Sequence, residues 1–418
     1  MSGPRLYIRG QYQRLAGMIS EYPRPFWTLV IATFIDHLGG ALLFPFFSLY
    51  ITRRFNVGMT EVGILFAMFS ISSFVGSALG GALTDRIGRK GMLIFSLLAT
   101  SISSLIMGFV GSLEAFYLLA LLTGIFTDSG GPARQAMVAD LLPEMKRAQG
   151  YGIIRVAFNL AVAIGPAIGG FLATRSYLIL FVADAIISFI TAIIVAVAMP
   201  ETKPAPQPGE KPESVGTTFA GYFRVLRDGV YMFFLAASML SVFVYMNMNT
   251  TLGVYLRDVH ATPEAGYGFL LSLNAAMVVA MQFPITRRIE KLAPLWMMTI
   301  GTALYAIGFG MYGVVSSFGL FVLAMVIITI GEMIVSPVAQ ALVAHMSPAD
   351  MRGRYMAVYS FSWSIPYAAG PLLAGLVLDN LNPRWLWYAA FVVGLLATAA
   401  FYALHRRQLR SAAATLPA

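Results

Sequence analysis

Cysteine is absent from all 418 residues. Disulfides, thiolate metal sites and cysteine nucleophiles are thereby excluded. Histidine is scarce, and His37, His260, His345 and His405 have no metal-ligand spacing. No H-E-x-x-H, phosphate-binding G-x-x-x-x-G-K-[ST] or nucleophile elbow occurs, so an enzyme or an ATP-driven machine has no sequence support. Charge is the third scarcity. Asp, Glu, Lys and Arg make up 11% of the chain, where a soluble domain carries about 25%. The first 25 residues lack the apolar core and small-residue cleavage site of a signal peptide, so the first apolar segment is expected to serve as the insertion signal.

What is abundant is apolar: 58% of residues are hydrophobic. A membrane span needs about 20 such residues. Twelve candidates stand at roughly 26–50, 60–80, 91–111, 115–138, 150–173, 178–199, 229–252, 265–285, 294–314, 318–340, 355–377 and 385–404. Backbone groups in lipid must be satisfied within the segment, which makes these helices; barrel strands would alternate instead. The fold expected is an all-α membrane protein of twelve transmembrane helices. Of the 28 Lys and Arg, 21 fall on the side shared by the termini and even-numbered loops, and five fall opposite. Arg134 and Arg155 remain within spans. The bias predicts both termini in the cytoplasm, in a multi-pass protein of the plasma or inner membrane. It also accounts for the net charge of +9, with some attraction to anionic lipid and no basic face for nucleic acid.

The two halves of the chain repeat one another. Residues 132–170 and 337–375 align without gaps at an offset of 205, and eleven of these 39 positions are identical, among them Pro132/Pro337, Arg147/Arg352, Gly165/Gly370, Pro166/Pro371 and Gly170/Gly375. A period of half the chain predicts two pseudo-symmetric six-helix bundles that rock about a central site. The expected division is 1–199, a linker at 200–220, and 221–418. Five prolines between Pro200 and Pro212, with few apolar residues, read as an extended solvated connection.

The loop between spans two and three reads Gly81-Ala82-Leu83-Thr84-Asp85-Arg86-Ile87-Gly88-Arg89-Lys90. It resembles the cytoplasmic signature of the major facilitator superfamily, in the loop where that signature belongs. Span five ends in Gly165-Pro166-Ala167-Ile168-Gly169-Gly170, similar to the antiporter signature G-P-x-x-G-G. Leu38-Gly39, Pro45 and the run from Pro200 to Lys203 resemble the drug:proton antiporter-1 branch, the twelve-span multidrug exporters. The likeness covers the whole chain, with one departure: Asp128 stands in mid-span four, where that branch often has an arginine. The resemblance implies a cytoplasmic gate in which Gly81, Asp85, Arg86, Gly88, Arg89 and Lys90 act with Asp140 as a charge relay. At offset 205 its second copy has Glu290 and Lys291 but neither glycine, so closure is expected to be asymmetric. Gly165 and Gly169 form a small-xxx-small packing face, with Pro166 and Gly170 beside them.

Ionisable groups within spans cost about 2.5–3.5 kcal/mol each and are functional candidates by default. Asp36, Glu332 and Asp128, in that order, are the candidates for proton coupling and substrate charge. A carboxylate contested by a proton and a cationic cargo is sufficient to couple their movements. The competing reading is a structural ion pair, for example Asp128 with Arg134 or Arg155. Asp184 lies near a span end and could reach the interface, and His37 need not share a cavity with Asp36, since neighbours on a helix point about 100° apart. Possible cavity-lining residues are Arg155, Asn159, Tyr245, Asn247, Asn249, Gln282, Tyr359 and Trp363. Aromatic faces suit lipophilic cations, and the 23 methionines suit adaptable walls. The function expected is a proton-driven exporter of small amphipathic, cationic compounds. It would need no cofactor beyond the proton gradient, no metal and no partner chain, so a monomer is the default. Export of a sugar, metabolite or lipid by the same fold, and a non-transporting sensor, are the alternatives.

Overall fold

The computed structural model describes residues 21–203, 223–348 and 351–414. Among them are fourteen helices of nine residues or more. The first half holds α1 (Arg24–Phe55), α2 (Met59–Ile87), α3 (Arg89–Phe109), α4 (Leu113–Thr127), α5 (Gly130–Leu141), α6 (Glu144–Ala173) and α7 (Tyr177–Ala198). The second holds α8 (Gly229–Thr250), α9 (Leu252–His260), α10 (Glu264–Ile289), α11 (Pro294–Val314), α12 (Phe318–Met346), α13 (Arg352–Asn380) and α14 (Arg384–Ala414). Side-chain oxygens cap where turns are tight: Ser112 accepts from Ala115 N, Ser176 from Leu178 N and Asp228 from Tyr231 N.

Eleven of these helices are each long and apolar enough to cross a membrane. The twelfth crossing is shared by α4 and α5, a correction to the unbroken span expected over 115–138. The cause is local. Pro132 has no N–H to give the carbonyl four residues back, on Asp128, which instead accepts from Gly131 N at 3.2 Å. Gly130 and Gly131 add two poor helix formers. Asp128 therefore sits at a helix break.

The buried apolar residues separate by level. One cluster, including Phe26, Leu29, Leu97, Met137 and Val195, belongs to the first half. Another, including Tyr231, Phe234, Met298, Val343 and Phe401, belongs to the second. A third contains Phe46, Leu49, Val62 and Phe181 together with Leu252, Tyr267, Phe309 and Trp387, and so spans both halves. It lies at the end away from the basic loops, called here the far side. There α2 packs on α13 and α6 on α10. A β-carbon added to Gly170 would come within 2.9 Å of Gly268 Cα. Phe44 stacks on Tyr367 at 5.5 Å, and Phe46 meets Tyr267 edge-on at 5.7 Å. The halves share a core on the far side and keep separate cores on the basic side. This is the shape of a protein closed on the far side.

Candidate functional site

Asp36, on α1, is claimed by a base that sequence reasoning assigned to Asp128. Arg134 Nη2 donates to Asp36 Oδ2 at 2.6 Å, and its Nη1 lies 3.1 Å from His37 Nδ1. His37 Nδ1 is also 2.9 Å from Thr33 O and 3.7 Å from Asp36 Oδ2. Aspartate, histidine and arginine thus form one cluster, although neighbours on a helix need not share a cavity. The long guanidinium bridges the angle between them. Asp36 and Arg134 are 16% and 18% exposed, so water screens the pair poorly. Asp128 takes a different partner: Ser73 Oγ, on α2, donates to its Oδ2. Among the described residues neither Arg134 nor Arg155 bonds it, which corrects the ion pair considered above. Arg134 remains within electrostatic reach of Asp128.

Glu332, on α12, has no basic partner among the described residues. Tyr245 OH donates to its Oε1 at 2.9 Å and Asn274 Nδ2 to its Oε2 at 2.8 Å. Asn274 also holds Thr329 Oγ1 at 3.0 Å. Around this acid stand rings: Tyr245 lies 5.6 Å from Tyr305 and 6.1 Å from Trp363. Tyr359 stacks on Phe234 at 6.2 Å. When ionised, this carboxyl has only neutral donors beside aromatic faces, so no described base neutralises it in its lipophilic setting. Asn274 escaped sequence reading because a lone amide in a span carries no pattern.

Two of the other candidates, Asn247 and Gln282, serve the scaffold. Asn247 is buried and turns back on its own helix, donating to Phe243 O at 2.9 Å and accepting from Thr251 Oγ1 at 2.8 Å. It braces the break between α8 and α9 and does not line a cavity. Gln282 Nε2 donates to Met333 O at 3.0 Å. That carbonyl is the one Pro337 leaves without an N–H, so Gln282 closes a helix defect. Asn159, Arg155 and Trp363 are exposed, and Asn249 is half-buried. Arg155 faces Tyr359 of the other half closely enough to interact electrostatically. Asp184 does not reach an interface: it is 4% exposed and accepts from Ser104 Oγ. Gly39 permits this, because a β-carbon there would strike the Asp184 carboxylate.

At the basic side Arg89 Nε donates to Asp140 Oδ2 at 3.1 Å, joining two members of the expected gate. The side chain of Asp85 lies outside the described residues, as do residues 204–222, which take in most of the linker expected at 200–220, and the side chain of Arg352. A β-carbon at Gly81 would meet Pro132 only in ordinary contact, at 3.9 Å. The residue not foreseen is Glu201. Its carboxylate accepts Arg89 N at 2.9 Å and Lys90 N at 3.2 Å, capping α3. Thr202 Oγ1 donates to Asp140 Oδ2 at 3.2 Å, and Lys203 Nζ to Arg86 O at 3.0 Å. Gly88 makes this possible twice over. Its φ of +109° suits glycine, and a β-carbon would press into Glu201. Desolvation is the largest single influence and pushes the Glu201 carboxyl up, but the N–H groups of Lys203, Arg89, Lys90 and Thr202 together hold it below the usual range. Gly165 and Gly169 pack on Ala41 and Leu42 of α1, with Gly170 against α10, so the G-P-x-x-G-G segment is a packing device.

Known proteins bear on this geometry. The chain is 26% identical over 85% of its length to a Na(+), Li(+), K(+)/H(+) antiporter of Planococcus maritimus, covering 89% of that protein. It is 26% identical to multidrug resistance protein 2 of Bacillus subtilis, covering 90% of this chain and 94% of the other. The class D tetracycline resistance protein of Salmonella ordonez is 25% identical over 85% of this chain and 90% of its own. The fold superposes on the nucleoside transporter NupG with a TM-score of 0.74, at 14% identity, covering 91% of this chain and 99% of that one. The family model described as Major Facilitator Superfamily matches residues 29–265 and 234–417, and with two half-chain bundles around charged, span-embedded residues this chain belongs to that superfamily of membrane transporters.

Proposed function

We propose that the protein exports small amphipathic cations in exchange for protons, by alternating access, with its basic side in the cytoplasm. The observation that carries this reading is the division of charge between the halves. In the first, Asp36 is neutralised by Arg134 beside His37. In the second, Glu332 has only Tyr245 and Asn274 as donors, and rings stand around it. Cargo entering from the basic side meets an acid that lacks a cation and aromatic faces that attract one. A proton reaching Asp36 removes the charge that holds Arg134. Arg134 is then free to turn toward Asp128, an acid that already feels its charge. That exchange changes the packing of α1 against α5, and so links protonation to the arrangement of the first bundle. Membership of the superfamily and the names of the multidrug and tetracycline resistance relatives support the class of cargo.

The test is transport into proteoliposomes under an imposed pH gradient, with a lipophilic cation, an uncharged analogue and sodium as cargo. Glu332→Gln is expected to weaken the organic cation by about 10- to 100-fold, the loss of a charged hydrogen-bonding partner, and to spare the uncharged analogue. Asp36→Asn is expected to abolish dependence on the gradient. Wild-type pumping by both variants would sink the assignment. A second reading, exchange of an inorganic monovalent cation for protons, is favoured by the name of the Planococcus relative and by the Thr329 hydroxyl oxygen, which shares the Asn274 Nδ2 donor with Glu332. The sodium arm decides between them.

A further inference from the structure

Among the described residues, six hydrogen bonds join the two halves on the far side. At one corner Asp379, near the end of α13, accepts Met59 N on Oδ1 at 2.9 Å and Thr60 N on Oδ2 at 2.6 Å. These are the first two residues of α2, in the opposite half. The first N–H groups of a helix have no intrahelical acceptor and form the positive end of its dipole, so a carboxylate suits them. The residue in the capping position of α2 is Gly58, which has no side chain to offer. Its φ of −79° is open to any residue, so glycine is not there for backbone freedom. It is there for space: a β-carbon at Gly58 would lie 2.6 Å from the Asp379 carboxyl carbon. The helix gives up its own cap and seats one carried by the other half.

At the pseudo-symmetric corner the first residue of α10 is Glu264, at offset 205 from Met59. It accepts from Arg53 Nη1 at 2.8 Å and from Tyr177 OH at 3.1 Å, both in the first half. Arg257 Nη1 adds a bond to Thr52 Oγ1 at 3.1 Å. Both corners present an acid of the second half to positive charge or N–H donors of the first.

We propose that Asp379 is a positioning residue of the transport cycle: a far-side latch that favours the closed far side by lending α2 an N-cap across the domain boundary. When the halves part there, α2 loses its only side-chain cap and its N–H groups turn to water. The latch sets the balance between the two states and takes no part in binding cargo or protons. It goes beyond the function proposed above, requiring only that the halves move.

The absence of native cysteine allows a direct test. Cysteines at Gly111 and Ser316, both on exposed far-side loops of opposite halves, carry spin labels, and their separation is measured in nanodiscs without cargo or pH gradient. Wild type should show mainly the short distance. Asp379→Ala should raise the ratio of long to short by about 2- to 30-fold, the range that an N-cap is worth, with Asp379→Asn between the two. Gly58→Ala should match Asp379→Ala and add nothing to it in the double variant. Because Asp379 is exposed, these variants should fold, which a melting curve checks. An unchanged distance distribution in Asp379→Ala overturns the proposal, as does a full extra shift from Gly58→Ala in the double variant. Neither result depends on whether the proton or cargo assignments above survive.

Discussion

Two acids in spans meet opposite fates, and the difference lies in what stands opposite each. Asp36 and Arg134 are mutually dependent, because removing one strands the other in a low-dielectric site. Arg134→Ala is therefore expected to destabilise the first bundle by about 3 kcal/mol. Part should return in the Asp36→Asn, Arg134→Ala double variant, and thermal unfolding in detergent would read both. Full recovery of stability is not expected, since His37 also loses a neighbour. Asp36 and Glu332 stood out in the sequence, because a charge inside an apolar run is conspicuous. Their partners were not legible: Arg134 is 98 positions from Asp36, and Asn274 is 58 from Glu332. Only packing chooses among several bases at similar depth.

Helices carry the next level, and their defects are repaired by neighbours. Pro132 and Pro337 occupy equivalent positions and each frees a carbonyl. The first is satisfied within its own chain turn, at the price of a broken helix; the second is bonded by Gln282 of α10, and α12 runs on unbroken. Gln282→Leu should cost about 1–2 kcal/mol through the unpaired Met333 carbonyl. In a Pro337→Ala background, which restores the N–H, the same change should cost much less, a coupling that a double-mutant cycle would measure. The cap on α3 behaves similarly at the basic side. Glu201 is held below the usual carboxylate range, so its contribution is full above the unfolded-state value of about 4.3 and is lost as pH falls through the depressed one. Hydrogen exchange at Arg89 and Lys90 N–H should keep the same protection factor from pH 8 to 5, and lose it in Gly88→Ala at every pH. A change in protection centred near neutrality would contradict the Glu201 assignment.

At the scale of the whole molecule, the two halves share a far-side core and no described basic-side core. Both crossings that close the far side run through glycine: Gly170 on Gly268, and Gly63 and Gly375 against the backbones of α13 and α2. Gly170→Val and Gly375→Val should each wedge one crossing apart and lengthen the far-side distance between labels at Gly111 and Ser316. If either variant leaves that distance unchanged, its crossing does not carry the seal. The duplication is conservative in these packing positions and divergent in charge. Asp36 aligns with Ser241, Asp128 with Met333, Asp140 with His345 and Glu332 with Thr127.

The sequence alone determined the class, the helices, the duplication, the superfamily signature and the acids that have no cheap reason to be buried. Each of these depends on a local pattern or on a repeat along the chain, where a single residue type has a fixed cost. Tertiary structure decided which partner each acid meets, that Glu201 caps α3, that Asp184 is buried, and which side is closed. Those outcomes depend on groups tens to hundreds of positions apart, whose energies exist only once the helices are packed.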